Sequence, residues 1–76
     1  MNFDKELNAK GLDCPLPILK TKKALSELQP GQVLKVLATD PGSRQDMVAF
    51  TNQTGNALLH SGEEDGALVF FLRKKG

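Results

Sequence analysis

The chain has one cysteine, Cys14, and it stands in the run Gly11-Leu12-Asp13-Cys14-Pro15-Leu16-Pro17. A reduced thiol can act as a nucleophile or bear a transferable group, provided that it is accessible and partly ionised. What the chain lacks narrows the chemistry. A single cysteine excludes an internal disulfide. The one histidine, His60, lies far along the chain in a strand-like run and offers no adjacent base for a Cys-His catalyst. One cysteine and one histidine also fall short of the four ligands of a structural zinc site, so neither metal nor cofactor is expected. The acidic run Glu63-Glu64-Asp65 reads as a polar hairpin tip, because a calcium loop needs more oxygen ligands at defined spacing.

The two prolines constrain the sulfur. A residue before proline is pushed out of the α region, so Cys14 is not helical, whereas proline itself is tolerated in the first helical turn. With Pro15 at N1 and Pro17 at N3, Cys14 is expected to be the N-cap. There the sulfur meets the amide of Leu16 but none from Pro17, which has no N–H. The positive end of the helix then favours the thiolate modestly, with Lys20 and Lys23 adding positive potential. Leu16 and Leu19 fall on the outer side of the helix and would form an apolar rim beside the thiol for a partner to grip.

The elements that must hold this site follow from periodicity and punctuation. Lys5 to Leu12 alternates weakly and reads as a strand. Leu16 to Leu28 reads as a helix with Pro17, Ile18, Thr21, Ala24, Leu25 and Leu28 inward, stopped by Pro30-Gly31. Gln32 to Thr39 reads as a well-buried strand. Ser43 and Asp46 have capping-box spacing and are expected to be structural caps of a second helix running to about Thr54. Met47, Phe50, Thr51 and Thr54 would form its inner face, and Gly55 its left-handed end. Asn56 to Ser61 and Ala67 to Arg73 are two further strands joined by a hairpin over GEEDG. The order β-α-β-α-β-β predicts an α+β fold, a two-layer sandwich with a four-stranded mixed sheet and both helices on one face.

Composition agrees with one small domain over residues 1–76: 39% hydrophobic, 25% charged, net charge +1, and neither Trp nor Tyr. Near-neutral charge and the lack of Tyr or Trp stacking residues argue against direct nucleic-acid binding. No run approaches the ~18 apolar residues of a membrane span, and the N-terminus lacks a signal-peptide core, so a cytoplasmic location is expected.

With these residues in place, the chain resembles the TusA/SirA-type sulfur carriers. Gly11 to Pro17 is similar to that family's G-x-x-C-P-x-P signature, and Asp40-Pro41, Asp46 and Phe50 follow at similar spacing. The resemblance covers nearly the whole chain. It implies a fold like the C-terminal domain of translation initiation factor three, and a carrier that receives persulfide sulfur on Cys14 from a cysteine desulfurase or rhodanese-like donor. The sulfur would then pass to an acceptor protein, in sulfur oxidation, tRNA thiolation or molybdenum-cofactor synthesis. On this reading the chain is a sulfurtransferase component, working as a monomer, with Pro15, Leu16 and Pro17 positioning the sulfur. Leu16, Leu19, Lys20, Lys22 and Lys23 would recognise partners. Met47-Val48 and Thr51 depart from some relatives, which carry Ile-Pro and a cysteine there, and the run from Thr39 to Asn56 is more similar to members associated with sulfur oxidation. The competing reading is a non-catalytic interaction module that uses the Leu16/Leu19/lysine surface, with Cys14 incidental.

Overall fold

The computed structural model describes residues 2–76, in which the expected order of elements is found: β1 (Lys5–Ala9), α1 (Leu16–Ser26), β2 (Val33–Ala38), α2 (Ser43–Thr54), β3 (Ala57–Glu64) and β4 (Ala67–Arg73). The sheet order is β1-β2-β4-β3; β1 runs parallel to β2, and β4 is antiparallel to both of its neighbours. The sheet is therefore mixed. β1, β2 and β3 share one direction, and each of the two helices makes a crossover between strands of that set.

Leu34, Val36 and Ala38 of β2 and Leu68, Phe70 and Leu72 of β4 form one face of the sheet. Against it pack Ala24 and Leu25 of α1 and Met47 and Phe50 of α2, with Leu7, Ile18, Leu28 and Leu58 at the edges, so both helices lie on this face. Pro17 and Thr21 are buried as the helical period requires, while Thr54, expected on the inner face of α2, is exposed. Its position in the last turn leaves it beyond the edge of the sheet layer, where its hydroxyl donates back to the Phe50 carbonyl at 2.8 Å.

β2 is not buried on both faces. Its burial alternates, with Val33, Lys35 and Leu37 half-buried on the helix-free side. An apolar run there meets side chains rather than a second helix layer: the rings of Phe3 and His60 lie 6.2 and 5.9 Å from that of Phe71, and Lys35 Nζ sits over both phenylalanines. β3 also extends past Ser61 to Glu64, leaving only Asp65 and Gly66 for the hairpin turn. Both have positive φ, 51° and 79°, as a two-residue type I′ turn requires. At the other end, β1 stops at Ala9 rather than Leu12, because a turn closes with the Leu12 amide donating to the Ala9 carbonyl. α1 ends at Ser26, where the Glu27 and Leu28 amides close the last turn on Ala24 and Leu25. Among the described residues no helix is long and apolar enough to cross a membrane.

Candidate functional site

Parallel pairing of β1 with β2 builds the site. Ala9 and Ala38 are partners in register, so the connections that leave these strands start side by side at one end of the sheet. The first carries Cys14 into α1 and the second carries Asp40 into α2. Two hydrogen bonds lock them together: the Gly11 amide donates to Thr39 Oγ1 at 2.8 Å, and the Cys14 amide donates to Asp40 Oδ2 at 2.9 Å.

The helix register differs from expectation by one residue. α1 begins at Leu16 with Pro17 as its second residue, and Pro15, which takes the N-cap position, is joined to Cys14 by a cis peptide. Cys14 is thus one residue outside the cap. Its amide has an acceptor in Asp40, and its sulfur lies against α2 rather than on the helix axis. Pro17 is wholly buried on the inner side of the first turn of α1.

The capping box also differs. Ser43 is the first residue of α2, behind Gly42 as cap, and its buried Oγ has no hydrogen-bond partner among the described residues. Asp46, four residues beyond the cap, turns instead to the sulfur: the Cys14 thiol donates to Asp46 Oδ2 at 3.0 Å. The role of orienting the start of α2 falls to Asp40, whose Oδ1 accepts from the Gly42 amide at 3.4 Å.

These carboxylates reverse the expected electrostatics of the thiol. Cys14 is exposed, yet its pKa is raised above the ordinary value, chiefly because the Asp46 carboxylate accepts the S–H, then through local desolvation and the negative charges of Asp46 and Asp40. The charges that act on the thiol are those of Asp46 and Asp40. Lys20, Lys22 and Lys23 are exposed on α1, and Lys23 occupies its last turn, away from the sulfur end.

Beside the sulfur a groove of about 230 Å³ runs between the helices, lined by Cys14, Pro15 and Ile18 on one side and Asp46, Ala49, Phe50 and Gln53 on the other. Leu16 and Leu19 are exposed at 44% and 54%, as their helical positions predict, and Val48 on α2 is exposed at 46%. His60 lies on the helix-free face against Phe71, so the sheet separates it from this groove. Sγ of Cys14 and an oxygen from each of Asp40 and Asp46 lie within 4.8 Å of one another. One sulfur and two carboxylates do not complete a tetrahedral zinc set. Both carboxylates are already engaged by the thiol and amide of Cys14.

In the sequence Asp40 stood out only through the spacing shared with the family and Val48 only as a departure from it; periodicity gave neither a part in the site. The signal for Asp40 was its place just past the second strand, where a parallel β-α-β unit brings it beside the residue following the first strand. Reading Asp46 as a cap concealed its second option, a long-range partner.

A family model described as Sulfurtransferase TusA matches residues 5–74. The chain is 56% identical over 73 residues to the sulfur carrier protein TusA of Allochromatium vinosum, covering 96% of each chain. It is 44% identical over 72 residues to the sulfur carrier protein TusA of Pseudomonas entomophila, covering 95% of this chain and 90% of that one. A crystal structure of a SirA-like protein from Desulfitobacterium hafniense superposes with a TM-score of 0.84 at 29% identity, over 96% of this chain and 100% of that one.

Proposed function

The chain belongs to the TusA sulfurtransferase family, and from that premise we propose that it carries sulfane sulfur as a persulfide on Cys14, between a donor protein and an acceptor protein. One observation supports the site above others: the only sulfur nucleophile is exposed, hydrogen-bonded to a carboxylate, and opens on an apolar groove between two helices. Loading is an exchange between thiols. The Cys14 sulfur attacks the outer sulfur of a donor persulfide, a new S–S bond forms as the donor S–S bond breaks, and the donor is released as a thiol. Unloading is the same exchange onto an acceptor thiol, and no net oxidation accompanies either step.

A cysteine desulfurase or a rhodanese-like protein suits the donor role, because both present sulfur as a protein persulfide. Leu16 and Leu19, exposed beside the groove, with Lys20, Lys22 and Lys23 on the same helix, form the recognition surface; Pro15 and Pro17 fix the turn that carries the sulfur. With a single cysteine, no second thiol of the chain can expel the carried sulfur as sulfide. The carrier acts as a cytoplasmic monomer that visits its partners in turn, and the acceptor decides whether the sulfur serves oxidation or tRNA thiolation.

Intact-protein mass spectrometry after incubation with a cysteine desulfurase and cysteine tests this reading. The wild type gains the mass of one sulfur, lost again on treatment with a thiol reductant, and Cys14→Ser gains none. A sulfur adduct of equal occupancy on Cys14→Ser would overturn the assignment; no adduct on either protein from any persulfide donor would favour an interaction module.

A further inference from the structure

Resting on the carrier reading, we propose that Asp46 is a catalytic residue of sulfur transfer, the group through which the proton of Cys14 leaves and returns. The thiol donates directly to Asp46 Oδ2 at 3.0 Å, within the reach that general acid-base catalysis requires. His60, the only histidine, is on the other side of the sheet, and among the described residues Asp46 is the side chain hydrogen-bonded to the sulfur. The charged groups that bear on the sulfur are Asp46 from α2 and Asp40 from the β2-α2 connection; α1 presents no acid in its first turn.

The need for such a group follows from the same charges. Beside two carboxylates a free thiolate is disfavoured, so the thiol rests protonated and nucleophilic attack requires its proton to move as the S–S bond forms. In loading, the Cys14 S–H passes its proton to Asp46 while Sγ attacks the outer sulfur of R–S–SH. The donor S–S bond breaks, R–S⁻ departs, and the proton on Asp46 is handed to it: Cys14–SH and R–S–SH become Cys14–S–SH and R–SH. Unloading is this exchange run in the opposite direction with an acceptor thiol. By microscopic reversibility the acceptor thiol gives its proton to Asp46, which returns it to Sγ as Sγ departs. The carboxylates also oppose ionisation of the carried persulfide, and a neutral persulfide is the better electrophile at its outer sulfur. A helix end that held the persulfide as an anion would work against release.

Glutathione persulfide, a donor that needs no docking surface, separates proton transfer from partner recognition. Asp46→Asn keeps the shape and a hydrogen-bonding group but cannot accept the proton; near pH 7 it is expected to load Cys14 about 10-fold to 100-fold more slowly than wild type, while reaching the same final occupancy. Its rate should climb with pH as the free thiolate takes over, whereas the wild-type rate changes less, and Asp46→Glu should recover part of the loss. If Asp46 only held the thiol protonated, its removal would raise the thiolate fraction and Asp46→Asn would load as fast as wild type or faster, which overturns the proposal. Loading of wild type with no difference between the variants removes the role of Asp46 and leaves the carrier reading intact. Absence of sulfur on wild-type Cys14 removes both.

Discussion

Cys14 owes its character to two side chains that lie 26 and 32 residues further along the chain. A helix N-terminus acts through partial charges and fades within a turn, whereas a carboxylate at hydrogen-bond distance carries a full charge and accepts the proton itself. The second effect wins, and the thiol is raised rather than lowered. Alkylation by iodoacetamide across the pH range measures this directly. Asp46→Asn should move the alkylation profile to lower pH, since it removes the principal cause of the shift. Asp40→Asn should move it in the same direction by less, because Asp40 acts on the sulfur only through its charge and accepts from the amide, not the thiol. Equal displacement by both variants would mean that the hydrogen bond adds nothing to the two charges.

At the scale of elements, local signals predicted what local energies decide. β4 runs from Ala67 to Arg73 as expected, α2 ends at Thr54, and Gly55 adopts φ 82° with its amide closing on the Thr51 carbonyl. That glycine is demanded by geometry: a side chain at positive φ is strained, and a Cβ there would stand 3.0 Å from Lys75 Cδ. Gly55→Ala should therefore lower stability by about 1 kcal/mol, read as a reduced urea midpoint with an unchanged slope; no reduction would show that the backbone relaxes at this turn. The misreadings share one physical cause. Steric rules for Pro15 and Pro17 pointed to a single register with the helix starting at Pro15, yet α1 starts one residue later, with the Cys14 amide held by Asp40 across the sheet end. Ser43 and Asp46 satisfy a capping pattern of four residues, yet Gly42 caps and Asp46 goes to the sulfur, an interaction set by strand pairing. Periodicity likewise identified β2 as apolar but did not reveal that on its second face Lys35 lies against Phe3 and Phe71 rather than under a further helix layer.

Across the whole molecule, the Cys14-Asp46 pair exists only when the two connections are held at one end of the folded sheet, so the ionisation of one thiol is coupled to folding. The thiol pKa is higher in the folded chain than in the unfolded one, where the carboxylates are remote. A group with a raised folded pKa contributes stability that is fully present below its unfolded pKa and is lost as pH rises through the folded value, because the unfolded chain releases the proton first. The pair therefore supports the fold at neutral pH and ceases to do so on the alkaline side. Other groups titrate in that range as well, and comparison with Cys14→Ser, which has no thiol, removes their shared contribution. Urea denaturation of both proteins from about pH 7 to about pH 11 should show the stability of wild type relative to Cys14→Ser steady near neutrality, then declining once the pH passes the ordinary thiol range. A difference that stays constant across this range would mean that the thiol ionises alike in folded and unfolded chains. The Asp46 contact would then impose no protonation state on the sulfur in solution, and its proton would need another route during transfer.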